Sequence, residues 1–161
     1  MTDAAILEGL GKSRLAVELN DDERRVLADA MTSRDLKHGE ILVQEGSADD
    51  HLYVVVSGVL GVVKGAGLEE EVTLNAIRPG DVVGELSFLD GTPRYAALRA
   101  VGKTEIFSLD RADLESLVEK HPWIAYRIMR AIVRFTHGLQ RRMSMQSAEL
   151  MHYLYKNQAK Y

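Results

Sequence analysis

Between residues 39 and 110 the chain is cut, at near-even intervals, into short apolar runs divided by glycine-bearing turns. The runs cover 41–44, 52–57, 59–64, 71–77, 98–100 and 104–109. The fourth sets Val72, Leu74 and Ala76 on one face against Glu71, Thr73 and Asn75 on the other, the two-residue period of a strand. The turn signals are Glu45-Gly46-Ser47, Lys64-Gly65-Ala66-Gly67 and Arg78-Pro79-Gly80-Asp81, and Ser57-Gly58 divides the second run from the third. Many short strands with such turns predict a mainly β fold, a jelly-roll or double-stranded β-helix barrel.

The flanks carry a helical period. Residues 1–38 read as an N-terminal helical segment, with Asn20 or Asp21 as a cap and Val26, Leu27 and Ala30 on one face. Residues 111–161 read as a hinge and a long C-terminal helix. Asp110 caps a helix over 112–120, which His121-Pro122 ends. A second helix then runs from Trp123, expected to pack at the hinge. Its apolar stripe is Ile124, Ile128, Ile132, Phe135, Leu139 and Met143. That stripe fits either a coiled-coil-like dimer seam or a helix folded back on its own barrel. Gly138 weakens the helix locally. With 161 residues, 46% of them apolar, the three zones 1–38, 39–110 and 111–161 fit one domain.

Several classes of function are disfavoured. There is no cysteine, so disulfides, thiolate nucleophiles and cysteine zinc sites are out. No apolar run could span a bilayer, and the start lacks a signal-peptide pattern, so no membrane role and a cytoplasmic location are expected. The five histidines, His38, His51, His121, His137 and His152, show no metal spacing, which argues against a cupin-type barrel enzyme. No nucleophile-elbow or phosphate-loop motif occurs. The chain is therefore read as non-enzymatic, with no resident cofactor or metal. Net charge is −4, but residues 121–161 hold seven Lys and Arg against Glu149 alone. Spread along a helix, these read as a solvated face before they read as a nucleic-acid patch, and direct DNA binding is not expected.

The chemistry concentrates between Arg78 and Ala100. A strand ends at Val83-Gly84. Glu85 to Leu89 is long enough for one helical turn, and Asp90-Gly91-Thr92-Pro93 breaks it before Arg94 opens the next strand. Gly84 permits close backbone approach. A helical turn there aims free N–H groups outward, and Arg94 can grip a phosphate bidentately. Glu85 suits a sugar hydroxyl. Spacing alone equally admits a structural Glu85–Arg94 ion pair that holds the turn.

The stretch resembles the phosphate-binding cassette of the cyclic nucleotide-binding domain family, which includes catabolite-activator-type regulators, regulatory subunits of cyclic-AMP-dependent kinase and cyclic-nucleotide-gated channels. The family pattern is Phe-Gly-Glu-Leu-Ala-Leu, a variable loop, then Pro-Arg-small-Ala-Thr-Val-x-Ala. Here Gly84-Glu85-Leu86-Ser87-Phe88-Leu89 and Pro93-Arg94-x-Ala96-x-Leu98-x-Ala100 match it. Gly39, Glu45-Gly46, Leu52-Tyr53, Ser57-Gly58 and Pro79-Gly80-Asp81 agree upstream.

The resemblance implies that Glu85 accepts from a ribose 2′-hydroxyl and Arg94 pairs with the cyclic phosphate. It further implies that backbone N–H groups of Gly84, Leu86 and Ala96 or Tyr95 support phosphate or sugar. Val62 and Leu74 would pack against the purine and Val83 beside them. Ser87 would lie on the turn or in the phosphate shell, and the long helix would act as a lid with Gln140 or Arg141 near the base. Tyr95 stands where the family has Ala, Ser or Thr, Ala97 where it has Thr or Ser, and Val83 where it has Phe. The expected ligand is cyclic AMP or cyclic GMP. The expected output is movement of the C-terminal helices, felt by a separate effector, in a chain that forms a homodimer through its long helix. The alternative is a decayed pocket that serves as a dimerisation or docking scaffold.

Overall fold

The computed structural model describes residues 2–158. Met1 and residues 159–161, the outer ends of the two helical zones, lie outside the described residues. The elements run α1 (Thr2–Gly11), α2 (Asp21–Asp29), β1 (Met31–Leu36), β2 (Ile41–Val43), β3 (His51–Lys64), β4 (Val72–Ile77), β5 (Val82–Val83), α3 (Glu85–Asp90), β6 (Ala97–Asp110), α4 (Arg111–Lys120) and α5 (Pro122–Gln158). The strands pair antiparallel in the order β1-β6-β3-β4, with β2 on β6 and β5 on β3. This is the expected mainly β jelly-roll architecture with N-terminal helices and a long C-terminal helix.

β3 explains why the core is double. Leu52 and Val54 face a cluster with the helices, among them Leu10, Leu27, Phe88, Leu114, Ile124 and Ile128. Tyr53 and Val55 face a second cluster inside the roll, with Leu60, Val62, Leu98 and Ile106. A strand buried on both faces reads as a continuous apolar run, as this one does.

Four expectations are corrected. The helical zone 1–38 contains a strand, β1, paired residue for residue from Met31↔Leu109 to Leu36↔Thr104. Only Met31 and Leu36 of that strand are buried, so its sequence lacks the alternation that signals a half-buried strand. The runs 52–57 and 59–64 are one strand, because Ser57-Gly58 is a bulge and not a turn. Gly58 has φ +78°, and a Cβ there would lie 2.3 Å from the Lys103 carbonyl oxygen. Likewise 98–100 and 104–109 join in β6. Finally, Trp123 is 72% exposed and meets Tyr126 edge-on instead of packing into the hinge.

The caps hold as expected. Asn20 and Glu23 form a reciprocal capping box on α2, and Asp110 accepts from Ala112 N at 2.7 Å. α5 divides the apolar stripe in two. Ile124, Ile128 and Ile132 are buried in the helical core, with Phe135 packed against it, while Met143 to Asn157 are all exposed. The first half of the stripe thus folds back on the chain's own domain. α5 continues through Gly138 as helix. Its arginines clamp the N-terminal segment: Arg127 pairs with Glu23, and Arg130 and Arg134 both pair with Glu18. Among the described residues no helix is long and apolar enough to cross a membrane.

Candidate functional site

β5 ends at Val83, and Gly84 then adopts φ +88°, a left-handed conformation that turns the chain into α3. A Cβ at Gly84 would lie 2.4 Å from Arg94 Nη1. Glycine is thus what lets the guanidinium lie on this backbone. Arg94 N donates to the Ser47 carbonyl at 2.9 Å and Gly46 N donates to the Arg94 carbonyl at 2.6 Å, so the Glu45-Gly46-Ser47 turn fixes the arginine's own backbone.

Arg94 is only 5% exposed. Nη1 donates to the Gly84 carbonyl at 2.7 Å. Nη2 donates to Asp49 Oδ2 at 2.7 Å and also to the His51 carbonyl, and Nε reaches the same Asp49 oxygen at 3.1 Å. The Glu85–Arg94 ion pair that the spacing admitted is not formed: the acid paired with Arg94 is Asp49. Asp49 also accepts from Tyr53 Oη at 3.1 Å and contacts His51 Nδ1 at 2.9 Å. Burial alone would raise the Asp49 carboxyl, but hydrogen bonds from His51 and Arg94 and the guanidinium charge hold it below its ordinary value.

Glu85 is 8% exposed and forms no side-chain salt bridge among the described residues. Burial pushes its carboxyl above the ordinary value, and backbone hydrogen bonding and the nearby Arg94 charge only partly offset this. A buried carboxylate without a cation is costly, so the position is one where a hydroxyl donor would be welcome.

The other expected residues fall as follows. Ala96 and Ser87 are buried beside this pair, and Val83 is partly buried against the roll's interior. Val62 is buried inside the roll, opposite Leu98 and Asn75. Leu74 lies at the bulge of the β3–β4 pairing and is 50% exposed. Leu86 is exposed, and so is Tyr95 at 63%, so the tyrosine ring does not fill the roll. Burial and the Glu85 charge raise the Tyr95 phenol. The Tyr95 carbonyl accepts from Lys64 Nζ at 2.6 Å, and Lys64 pairs with Glu45. Gln140 and Arg141 are exposed on the free part of α5.

Sequence reasoning missed Asp49 and Arg111. Arg111 donates to the carbonyls of Ser87 and Phe88 at the end of α3 and pairs with Asp50 at 2.7 Å. The only local signal was the acidic Asp49-Asp50 pair ahead of β3. Two cavities, of about 400 and 340 Å³, lie against α1 and α5, away from this cassette. Among the described residues no cluster of three or more His, Cys, Asp or Glu is arranged for a metal.

A family model described as cyclic nucleotide-binding domain matches residues 33–121. The chain is 28% identical over 131 residues to the CRP-like cAMP-activated global transcriptional regulator of Mycobacterium tuberculosis, covering 81% of this chain and 54% of that protein. It thus spans about half the length of that curated relative. Its fold matches a cyclic nucleotide-binding domain from Methylobacillus flagellatus with TM-score 0.76 and 25% identity, over 86% of this chain and 78% of that one. It also matches the regulatory domain of Toxoplasma gondii PKA with cAMP, with TM-score 0.62 and 27% identity, over 71% of this chain and 43% of that one. The match spans the roll and the cassette that carries the buried Glu85 and Arg94, and the chain belongs to the cyclic nucleotide-binding domain family.

Proposed function

We propose that the chain is a regulatory sensor that binds one cyclic purine nucleotide in its roll, with cyclic AMP as ligand and cyclic GMP as the weaker alternative. The observation that carries this reading is the buried pair of opposite chemistry, a Glu85 carboxylate with no salt bridge among the described residues and, close by, an Arg94 with all but one of its N–H donors engaged. In this reading Glu85 accepts from the ribose 2′-hydroxyl and Arg94 faces the cyclic phosphate. Backbone N–H groups of Gly84, Leu86 and Ala96 line the sugar-phosphate, and Ser87 lies in its shell. Val62, Leu74 and Val83 line the purine, and Tyr95 stands at the mouth. The mycobacterial relative is named as cAMP-activated and the Toxoplasma domain was solved with cAMP, which favours adenine.

The response is a population shift and not a catalysed reaction. Phosphate binding draws α3 inward. Phe88 of α3 shares the helical core with Leu114 and Leu117 of α4 and Ile124 of α5. Arg111 carries the same displacement to the first turn of α4. The exposed second half of α5 then serves as a homodimer seam and as the surface for a separate effector.

Calorimetric titration of nucleotide-stripped protein with cyclic AMP and cyclic GMP tests the reading. One-per-chain binding that Arg94→Ala abolishes supports it; wild-type affinity in that variant refutes the site. A second reading is favoured by the contacts to Asp49, His51 and Gly84, which already take four of the five N–H donors of Arg94: a scaffold that no longer binds nucleotide. Absence of heat and of thermal stabilisation with both nucleotides would establish that reading instead.

A further inference from the structure

We propose that Asp49 is a specificity-determining residue that restricts the site to singly charged phosphodiesters and excludes doubly charged phosphomonoesters. The inference rests on the nucleotide-binding reading above. Arginine has five N–H donors. Asp49 takes two of them, the His51 carbonyl one and the Gly84 carbonyl one, which leaves a single N–H on Nη1. An incoming phosphate either uses that one donor or takes donors from Asp49. In both cases it lies within a few ångströms of the Asp49 carboxylate, in a place where burial limits screening.

The surroundings do not supply spare positive charge. Lys64 is matched to Glu45 at 2.6 Å, Arg111 to Asp50 at 2.7 Å, and Arg99 to Glu71. His51 lies between two carboxylates, with Nδ1 2.9 Å from Asp49 and Nε2 3.5 Å from Asp110. Glu85 is a further carboxylate without a cation of its own. A phosphodiester brings one negative charge. A phosphomonoester, whose second ionisation lies near pH 6, brings nearly two at neutral pH. The second charge finds no unpaired cation here and repels Asp49 and Glu85 at short range. Ring closure is therefore not the only feature that separates a cyclic nucleotide from its 5′-monophosphate: the charge difference is read by a carboxylate beside the phosphate arginine.

Three adenine ligands separate charge from ring: cyclic AMP, 5′-AMP, and the methyl ester of 5′-AMP, an acyclic diester with one charge. Titrations use the full chain and its Asp49→Asn variant, which keeps an oxygen acceptor for Arg94. In wild-type protein the methyl ester is expected to bind at least about tenfold more tightly than 5′-AMP. In Asp49→Asn that gap is expected to close, with 5′-AMP gaining about tenfold relative to both diesters. Equal wild-type affinity for 5′-AMP and its methyl ester overturns the proposal without recourse to a variant. So does a variant that weakens all three ligands by one common factor, which would make Asp49 a positioning residue for Arg94 only. Wild-type protein that binds none of the three overturns the nucleotide reading itself, so the cyclic AMP arm tells the two failures apart.

Discussion

Arg111 Nε donates to the Phe88 carbonyl at 2.8 Å, tying the first residue of α4 to the last turn of α3. Its Nη2 donates to the Ser87 carbonyl at 2.9 Å, and its backbone N–H to the Asp50 carbonyl at 3.0 Å. Carbonyls at a helix C-terminus carry partial negative charge, so a guanidinium is well suited to them, and the Ser87 carbonyl accepts it in addition to the capping Gly91 N–H. The cassette helix, the loop before β3 and the hinge helix thus meet at one side chain. Arg111→Ala is expected to keep nucleotide binding and to lose the ligand-induced change in amide exchange along α4 and α5. Hydrogen-exchange mass spectrometry with and without cyclic AMP checks this; an undiminished change would remove Arg111 from the coupling path.

Glu85→Gln is expected to have opposite effects on fold and ligand. The folded-state pKa of Glu85 is raised by burial, so the ionised carboxylate penalises the folded state above that pKa and not below the unfolded value. The amide should raise Tm at neutral pH, and the gain should vanish as pH falls towards 4. The same change should weaken nucleotide binding roughly 10- to 100-fold, the worth of a hydrogen bond to a charged group. Thermal melts at several pH values and calorimetry give the two readings.

Gly84→Ala should cost roughly 1–3 kcal/mol in backbone strain alone, because φ is +88°. The added methyl also displaces the Arg94 guanidinium. Urea denaturation should therefore show a less stable fold and titration should show no nucleotide binding.

Glu18 is 9% exposed at its side chain and lies between Arg130 and Arg134 of α5. Glu18→Ala leaves two arginines facing each other without their acid. A lower Tm and faster exchange at the base of α5 are the expected outcome, and an unchanged melt would mean that the helix is held by Ile124, Ile128 and Ile132 alone.

Leu150 and Leu154 are about half exposed on the exposed second half of α5. The double change Leu150→Glu and Leu154→Glu should convert a dimer to a monomer in light scattering while leaving cyclic AMP binding intact. A wild-type chain that is already monomeric would refute the α5 seam.

The roll was legible because its short apolar runs stand at near-even spacing between turns that need glycine, and the cassette because Gly84, Glu85 and Arg94 stand in a tight sequential pattern. Caps such as Asn20 and Asp110 are local as well. β1 was not legible: Thr32, Ser33, Arg34 and Asp35 are all exposed, and only pairing with β6 makes the segment a strand. Nor was the acid for Arg94, since Asp49 is 45 residues distant and is brought to it by the fold. The same holds for Arg111, which reaches back 23 residues to Phe88. Strand continuity through Gly58 escaped because a bulge and a turn ask for the same residue.

β6 runs from Ala97, three residues beyond Arg94, to Asp110, the cap of α4. Fourteen residues of strand, hydrogen-bonded on both sides by β1, β2 and β3, behave as a tie-rod of at most about 45 Å that resists stretching or shortening. Any displacement at the Arg94 end cannot be lost in slack along this path. On the sensor reading proposed above, the hinge would pivot about a fixed anchor at Asp110, and the output expected of such a domain is a rotation of α4 and α5 and not a translation.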